Sequence, residues 1–306
     1  MKTSVIIPTY NAEKYLPKLL EALEKQTTIF ELIIIDSSST DNTVAIAKEY
    51  TKHILTIPQV EFDHGGTRTI AAKVASEDII VFLTQDALPY DDQAIEKILE
   101  AFENPKVGAA YGRQLPYEDA TIFSKHLRYF NYPEISYVRT INDKKQYGIK
   151  TAFLSDSFAA YRKKSLKEAG WFKNDLIVGE DTYAGSKILL EGYALAYCAD
   201  AKVYHSHSYG IIQEFKRYFD IGVFHKREKW ILQEFGKAEG EGKRYIKSEF
   251  SYLLRCKAYH LIPNFFIRNG MKYFGYKLGQ NYTKLPIVLI KKISMHYLWW
   301  NRAVLD

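Results

Sequence analysis

The first 111 residues alternate short apolar segments with segments of helical periodicity, and this alternation constrains the fold more than any other feature. Between the first two apolar segments, for example, leucine recurs at positions 16, 19, 20 and 23, which is helical spacing. Strands that alternate with helices form βαβ units, so the sequence predicts an α/β fold with a mostly parallel central sheet. The predicted strands are 5–7, 32–35, 54–57, 79–83 and 107–111.

Polar loops follow four of these strands, and their placement predicts a binding edge. Because ligands bind at the carboxyl ends of the strands in such sheets, we expect the four loops to meet. The chain lacks GxGxxG after the first strand, GxxxxGK[ST] and a nucleophile elbow, which argues against dinucleotide binding, a P-loop ATPase and serine hydrolysis. The loops are PTYN (8–11), DSSSTDN (36–42), the segment ending in DHGGTR (63–68) and TQDA (84–87).

Two aspartates at strand ends are candidate ligand-binding groups. Asp36 follows the second strand, where its carboxylate could accept hydrogen bonds from a ribose or a base; alternatively it caps the turn before SSST. Asp86 follows a very apolar strand, which would hold its carboxylate in a rigid position. That position suits a divalent cation that bridges two phosphates, although a turn-capping aspartate is the alternative.

The segment HGGTR and the pair His205 and His207 are further candidates. Two glycines would let the backbone approach a ligand, so that Arg68 could reach a phosphate or a base; the alternative is a plain glycine turn. Strand alternation places His205 and His207 on one face, where either could bind a metal or contact a diphosphate. Two polar surface histidines are the alternative for that pair.

Two adjacent acids, Glu180 and Asp181, open a predicted helix over 180–191. Adjacent side chains on a helix point in different directions, so at most one of them should face a substrate. A carboxylate held there as an anion is a candidate general base for a sugar hydroxyl. The alternative is that both acids only stabilise the helix dipole.

In combination, these segments resemble the family 2 glycosyltransferases of GT-A fold, which transfer a sugar from a nucleoside diphosphate. The resemblance covers residues 3–210 in consistent order through SVIIPTYN, IIIDSSSTDNT, GGTR, FLTQDA and VGEDTYAGSKILLEG. Within that family, DHGGTR, FLTQDA, GEDTYAG and YHSHSY are most similar to bacterial L-rhamnosyltransferases. The resemblance therefore implies a GT-A fold and an inverting transfer of L-rhamnose from dTDP-rhamnose.

The resemblance also implies roles for individual residues. Asp181 matches the general base of the family, and Glu180 and Asp156 match positions on the acceptor side. The nucleotide would be bound by Thr9, Asp36, Arg68 and Gln85.

The metal motif departs from the family pattern. Thr84, Gln85 and Asp86 stand where the family commonly has D-x-D, so that one carboxylate remains. Either His205 or His207 completes the site, or the nucleotide holds most of the metal. We expect a divalent cation, Mg²⁺ or Mn²⁺.

The C-terminal part differs from the rest in charge. Residues 243–306 contain 12 Lys or Arg, two acids and 13 aromatic residues, whereas the whole chain has a net charge of +6. Segments such as KLPIVLIKKISMHYLWWNR favour an anionic membrane interface; the alternative is a helical bundle with its aromatics turned inward. We expect a catalytic domain over 1–210, a helical membrane-surface extension over 211–306, and no nucleic-acid partner.

The N-terminus, MKTSVIIPTYN, lacks the pattern of a signal peptide, and no apolar run approaches the ~20 residues of a membrane span. We expect a cytoplasmic protein bound peripherally to the inner face of the cell membrane, with a lipid-linked polysaccharide precursor as acceptor. A UDP-sugar is the alternative donor. Two other classes stay open, a sugar nucleotidyltransferase and a non-catalytic partner docked at the membrane.

Overall fold

The computed structural model of the protein describes residues 2–236 and 239–302, and within this part nine strands form one sheet. The strands confirm all five predicted segments of the first 111 residues. In chain order they are β1 (Thr3–Thr9), β2 (Glu31–Asp36), β3 (Ile54–Thr56), β4 (Ile79–Leu83), β5 (Leu88–Pro89), β6 (Val107–Leu115), β7 (Tyr137–Arg139), β8 (Phe158–Arg162) and β9 (Ala194–Tyr204).

The sheet has the spatial order β3-β2-β1-β4-β8-β6-β9-β5, and β7 pairs with β9. Strands β3, β2, β1 and β4 pair in parallel, and β8 is antiparallel to both β4 and β6. Strand β6 therefore runs in the same direction as β4, and β9 pairs with it in parallel. Six strands share one direction, which agrees with the predicted mostly parallel sheet. The carboxyl ends of β1, β2 and β4 consequently meet at one edge.

Helices connect the strands and dominate the chain after β9. No helix in the described ranges is both long enough and apolar enough to cross a membrane. The helices are α1 (Leu16–Glu24), α2 (Thr43–Tyr50), α3 (His64–Val74), α4 (Ala94–Leu99), α5 (Ile122–Asn131), α6 (Lys144–Tyr147), α7 (Lys163–Glu168), α8 (Glu180–Leu190), α9 (Ile211–Arg227), α10 (Lys229–Phe235), α11 (Glu239–Arg255), α12 (Ile262–Gln280) and α13 (Ile287–Ile293).

Both faces of the sheet are buried, which explains why its central strands are continuous apolar runs. In β1, Ile6 belongs to one apolar cluster, whereas its neighbours Val5 and Ile7 belong to the cluster on the other face. This period of two is the alternation of side chains along a strand. The two layers hold the sheet edge rigidly, so the loops at that edge have fixed starting points.

The segment TAFLSDSFAAYRK (151–163) has the pattern of a strand with a polar centre, which predicts a strand over its whole length; in the structure the strand is shorter. Residues Gly148–Ala152 form a 3-10 turn, and the strand begins only at Phe158. Asp156 lies in the connection between them, where it accepts a hydrogen bond from the Tyr161 hydroxyl at 2.5 Å. The polar residues thus form a turn that delivers a carboxylate to the site.

The C-terminal helices share the core of the sheet. Phe219, Trp299 and Trp300 belong to the same apolar cluster as Ile6 and Phe82. The buried tryptophans agree with the alternative in which aromatics turn inward. The division of the chain at residue 210 stays a prediction.

Candidate active site

The buried Arg68 forms ion pairs with two of the acids that were predicted to lie in the active site. Arg68 lies in the second turn of α3, with its Nε 3.3 Å from Asp156 Oδ2 and its Nη1 3.1 Å from Glu180 Oε1. Its Nη1 also donates to the carbonyl oxygen of His64 at 2.9 Å. The structure therefore brings Arg68 together with Glu180 and Asp156, and its assignment to the nucleotide stays a prediction.

The charges of this acid cluster are unbalanced, because three carboxyls surround one guanidinium. Burial and the neighbouring charges of Glu180 and Asp156 raise the pKa of Asp181 to about 8. Burial and Glu180, opposed by Arg68, raise the pKa of Asp156 to about 7. Burial would also raise the pKa of Glu180, but Arg68 and His64 outweigh it and lower that pKa. Asp181 is partly exposed, and a carboxyl with a pKa near neutrality is suited to accepting a proton.

Two glycines allow the backbone to place this cluster. Gly179 precedes α8 with a φ of +84°, a left-handed conformation that L side chains rarely adopt. A Cβ on Gly65 would lie 2.0 Å from the carbonyl oxygen of Lys173. The sequence interpretation attributed the HGG glycines to close approach of a ligand, whereas in the structure Gly65 makes room for another segment of the protein.

The three predicted metal ligands come together at the edge of the sheet. His205 Nε2 lies 3.5 Å from Asp86 Oδ1, and His207 Nε2 lies 3.6 Å from Asp86 Oδ2. One potential ligand atom from each residue lies within 4.8 Å of the others. Asp86 follows β4 and the histidines follow β9, so only the folded sheet unites them.

Gln114 fixes the orientation of His205, and sequence reasoning missed it. Its Oε1 accepts a hydrogen bond from Arg128 Nη1 at 2.7 Å, and an arginine can only donate. The same oxygen lies 2.8 Å from His205 Nδ1, so Nδ1 carries the proton. The lone pair of His205 is therefore on Nε2, which faces Asp86.

The protonation states at this site suit a divalent cation. Burial would raise the pKa of Asp86, but the neighbouring side chains of His205, His207 and Thr84 lower it. Burial lowers the pKa of His205, and burial and His205 lower the pKa of His207 to about 4. An ionised carboxylate beside two neutral imidazoles is the form in which these groups bind metal, so the donor set fits a divalent metal.

The predicted nucleotide-binding residues lie at the ends of β1, β2 and β4. The Thr9 hydroxyl donates to Asp36 Oδ1 at 2.9 Å, and the backbone amide of Ser39 donates to Asp36 Oδ2 at 2.9 Å. The Gln85 side chain pairs with the backbone of Tyr10, accepting from its amide at 2.9 Å. Thr9, Asp36 and Gln85 thus share one edge, and their role toward a nucleotide stays a prediction.

Two histidines from distant parts of the chain complete the acid cluster, and neither was predicted. The rings of His64 and His296 lie 5.2 Å apart in an edge-to-face arrangement. Asp220 on α9 holds the segment of His296 in place by accepting from the amides of Met295 and His296. No local pattern could reveal His296, because it joins the site only through tertiary packing.

Comparison with known proteins accounts for this arrangement. Residues 4–170 match the model of the family described as glycosyl transferase family 2. The chain belongs to glycosyltransferase family 2. As a family 2 glycosyltransferase it is an enzyme, and the resemblance stated from its motifs is confirmed.

Two curated relatives of this family 2 glycosyltransferase match it over nearly their whole length. The O-antigen chain rhamnosyltransferase RfbN of Salmonella typhimurium is 44% identical, with 98% of this chain and 96% of the relative covered. The O-antigen chain rhamnosyltransferase WbaN of Salmonella anatum is 45% identical, with 97% and 95% covered.

A solved structure supports the GT-A fold of this family 2 glycosyltransferase. The mannosyltransferase PcManGT of Pyrobaculum calidifontis, in complex with GDP-Man and Mn²⁺, superimposes with a TM-score of 0.64 at 16% identity. The alignment covers 92% of this chain and 88% of that one. The predicted GT-A fold with a helical C-terminal part is confirmed.

Proposed function

We propose that the enzyme is an inverting rhamnosyltransferase that moves L-rhamnose from dTDP-rhamnose to a hydroxyl of a cell-surface polysaccharide precursor. The observation that carries this proposal is the 44–45% identity, over nearly the full length, to two O-antigen chain rhamnosyltransferases. Both relatives share the whole chain, including the C-terminal helices, rather than the family domain alone. Transfer of another hexose from a UDP-sugar is the alternative.

Asp181 is the proposed general base. Its carboxylate takes the proton of the acceptor hydroxyl while that oxygen forms a bond to the anomeric carbon and the bond to the diphosphate oxygen breaks. A single displacement inverts the anomeric carbon and needs no covalent enzyme intermediate. Glu180 and Asp156, held by Arg68, are proposed to position the acceptor, because they place fixed negative charge next to the base.

The diphosphate is proposed to lie next to Asp86, His205 and His207. These three residues would hold Mg²⁺ or Mn²⁺, which when bound neutralises negative charge on the leaving diphosphate. Two arginines, Arg128 and Arg217, add positive charge there. After burial they lower the pKa of His205, and after burial and His205 they lower the pKa of His207. Within residues 2–236 and 239–302, neither Arg128 nor Arg217 forms an ion pair with a carboxylate. Arg128 donates a hydrogen bond to Gln114, but no carboxylate of the described residues neutralises either guanidinium, so both positive charges would attract an anion.

The acceptor is proposed to be lipid-linked, and the enzyme to bind peripherally at the inner face of the membrane. Support comes from the excess of basic and aromatic residues in 243–306. Under this proposal, residues 1–210 carry the catalytic groups, whereas 211–306 contain the surface that meets the membrane and contribute His296. Thr9, Asp36 and Gln85 would contact the nucleoside.

A donor screen tests this function. The purified enzyme is incubated with dTDP-rhamnose, UDP-glucose, UDP-galactose or UDP-N-acetylglucosamine, with Mn²⁺, with Mg²⁺ or with a chelator, and release of nucleoside diphosphate is measured. We expect release from dTDP-rhamnose that the chelator suppresses. Release of UDP from a UDP-sugar, with no release of dTDP from dTDP-rhamnose, would show that the donor is the UDP-sugar.

Two controls separate the remaining classes. Asp181→Asn should slow transfer by roughly 10²–10⁴-fold with an unchanged melting temperature or a higher one, and near-normal transfer would remove Asp181 as the base. Incubation with a sugar phosphate and a nucleoside triphosphate tests the nucleotidyltransferase alternative, for which we expect no sugar nucleotide. A wild-type enzyme that turns over no donor at all would favour the non-catalytic alternative.

A further inference from the structure

Helix α12 exposes an apolar face to solvent. Phe266 and Ile267 are 63% and 55% exposed, and Tyr273 and Phe274, two turns later, are 62% and 58% exposed. This spacing places all four side chains on one side of the helix. Pro263, about one turn before Phe266, and Gly270, between the two pairs, are also exposed and carry no charge. We define the α12 stripe as residues 263, 266, 267, 270, 273 and 274.

The opposite face of the same helix is buried and charged. Arg268 Nη1 lies 2.9 Å from Glu214 Oε2, and Lys272 Nζ lies 3.5 Å from Glu214 Oε1. Asn269 donates to Glu249 at 2.7 Å. The helix is thus inverted relative to an ordinary surface helix, which buries its apolar face and exposes its charges. An exposed apolar stripe of this kind marks an interaction surface.

The charged residues that flank the stripe along the chain are of one sign. No acidic residue occurs between positions 250 and 302. Arg255 and Lys257 are exposed just before α12, and Lys277 continues the line of the stripe with its Nζ 5.7 Å from the centre of the Tyr273 ring. Aromatic and aliphatic side chains flanked by lysine and arginine match the interface of an anionic bilayer. A symmetric dimer would set this surface against itself and bring like charges together.

We infer that the α12 stripe docks the enzyme onto an anionic lipid surface. This inference rests on the proposed lipid-linked acceptor and names the surface that contacts the membrane. It narrows the sequence interpretation, which placed the contact in the basic and aromatic residues of 243–306. Of those residues, Trp299 and Trp300 prove to be buried.

The docking surface is joined closely to the catalytic edge. Helix α12 packs directly on α9, where a Cβ on Gly279 would lie 2.0 Å from the carbonyl oxygen of Phe219. Helix α9 in turn begins at Ile211, shortly after His207. A membrane bound at the stripe would therefore stay at a fixed distance from the metal ligands.

Vesicle co-sedimentation of the full-length enzyme tests this inference. Vesicles of phosphatidylglycerol and phosphatidylethanolamine are compared with vesicles of phosphatidylcholine. We expect binding to the anionic vesicles, and at least about tenfold weaker binding for the double variant Phe266→Ser/Phe274→Ser. The matched control is Ile29→Ser/Ile135→Ser, which removes two exposed apolar side chains outside α12 and should bind like wild type.

Two outcomes would overturn the inference. One is that the stripe variant binds anionic vesicles as tightly as wild type does. The other is that wild type ignores vesicles and sediments as a dimer, which the stripe variant converts to a monomer. Release of dTDP from dTDP-rhamnose without vesicles is measured in parallel and should be the same for the stripe variant and wild type. If the wild-type enzyme released no dTDP from dTDP-rhamnose, this result would contradict the proposed function. It would leave the conclusion from vesicle binding unchanged.

Discussion

The Nδ1 atom of His205 donates a hydrogen bond of 2.8 Å to Oε1 of Gln114, a residue on β6 next to the three predicted metal ligands. Arg128 donates to the same oxygen at 2.7 Å and so determines which end of the amide faces the histidine. This relationship keeps the lone pair of Nε2 directed toward Asp86. We propose that this histidine, whose tautomer is set by its partner, compensates for the departure from the family D-x-D pattern.

Replacing Gln114 should therefore weaken metal binding. In Gln114→Leu the histidine loses its acceptor, and we expect the affinity for Mn²⁺ to fall by roughly 10–100-fold. Isothermal titration with Mn²⁺ measures this directly, without reliance on turnover. Gln114→Glu keeps an oxygen acceptor for both donors and should retain most of the affinity. Equal Mn²⁺ affinity in Gln114→Leu and wild type would contradict the positioning role.

The rate of transfer should rise with pH until Asp181 is ionised. Because burial, Glu180 and Asp156 raise its pKa to about 8, the base is mostly protonated at pH 6. We expect log kcat/KM to increase from pH 6 and to level off above about 8, and Asp181→Asn to lose roughly 10²–10⁴-fold in kcat. Asp156→Asn removes a neighbouring negative charge and should move the midpoint to lower pH. Asp175→Asn, an exposed carboxylate paired with Arg227, serves as the control.

Ionisation of the Asp181 carboxyl should lower the free energy of unfolding at high pH. Its pKa is raised from 3.8 in the unfolded chain to about 8 in the folded protein, so the folded state holds the proton more tightly. Stability is therefore lost as the pH rises from about 4 to 8. At pH 8 we expect Asp181→Asn to melt roughly 2–4 °C higher than wild type, corresponding to about 1 kcal/mol. At pH 4 the difference between the two melting temperatures should be smaller. Calorimetry of both proteins at pH 4 and pH 8 measures it.

Asp220 should anchor the segment that carries His296. Its carboxylate accepts from the Ser294 hydroxyl at 2.7 Å and from the Met295 and His296 amides at 2.9 and 3.3 Å. In Asp220→Ala we expect a loss of about 2–4 kcal/mol in the free energy of unfolding, since each unsatisfied buried donor costs about 1–3 kcal/mol. Released tryptophans should shift the fluorescence maximum to the red. Asp200→Ala, at an exposed position, should leave both measurements unchanged.

Two glycines of α12 should respond to alanine in opposite directions. A Cβ at position 279 would lie 2.0 Å from the Phe219 carbonyl oxygen, whereas a Cβ at Gly270 would meet no atom within 4 Å. We expect Gly279→Ala to cost about 1–3 kcal/mol, because helices α9 and α12 must separate. Gly270→Ala should stabilise by about 0.5–1 kcal/mol, because it removes backbone freedom from the unfolded chain. Urea denaturation of both variants measures the difference.

Much of the fold was predictable because its causes are local. Strand β4 is five apolar residues followed by a polar turn, and it occupies the predicted positions 79–83. The helix that opens at Glu180 also lies where the pattern indicated. In contrast, the strand predicted over 151–163 begins only at Phe158, because its polar residues form a turn that supplies Asp156. A run of apolar residues predicts a buried strand from the sequence alone. Whether polar residues within such a run belong to the strand or to a turn depends on the distant side chains that they contact.

The sequence predicted which residues could bind a metal, but it did not predict which side chains pair with the residues of the candidate site. Asp86, His205 and His207 were expected to bind a metal, and the structure brings them together. Arg68 was expected to contact a nucleotide, which stays a prediction; in the structure its guanidinium pairs with Asp156 and Glu180. Nothing near Arg68 in the sequence indicates those acids, since they arrive from distant segments.

The sequence by itself determined the α/β architecture, the polar edge of the sheet and the family, because each depends on local patterns and their order. Only the tertiary structure decided how α12 is oriented. Its aromatic side would be expected to face inward, yet Glu214 and Glu249 supply buried partners for Arg268, Lys272 and Asn269, and turn the apolar side outward. Burying a charge is tolerated only where an opposite charge meets it, and that meeting depends on how distant helices pack.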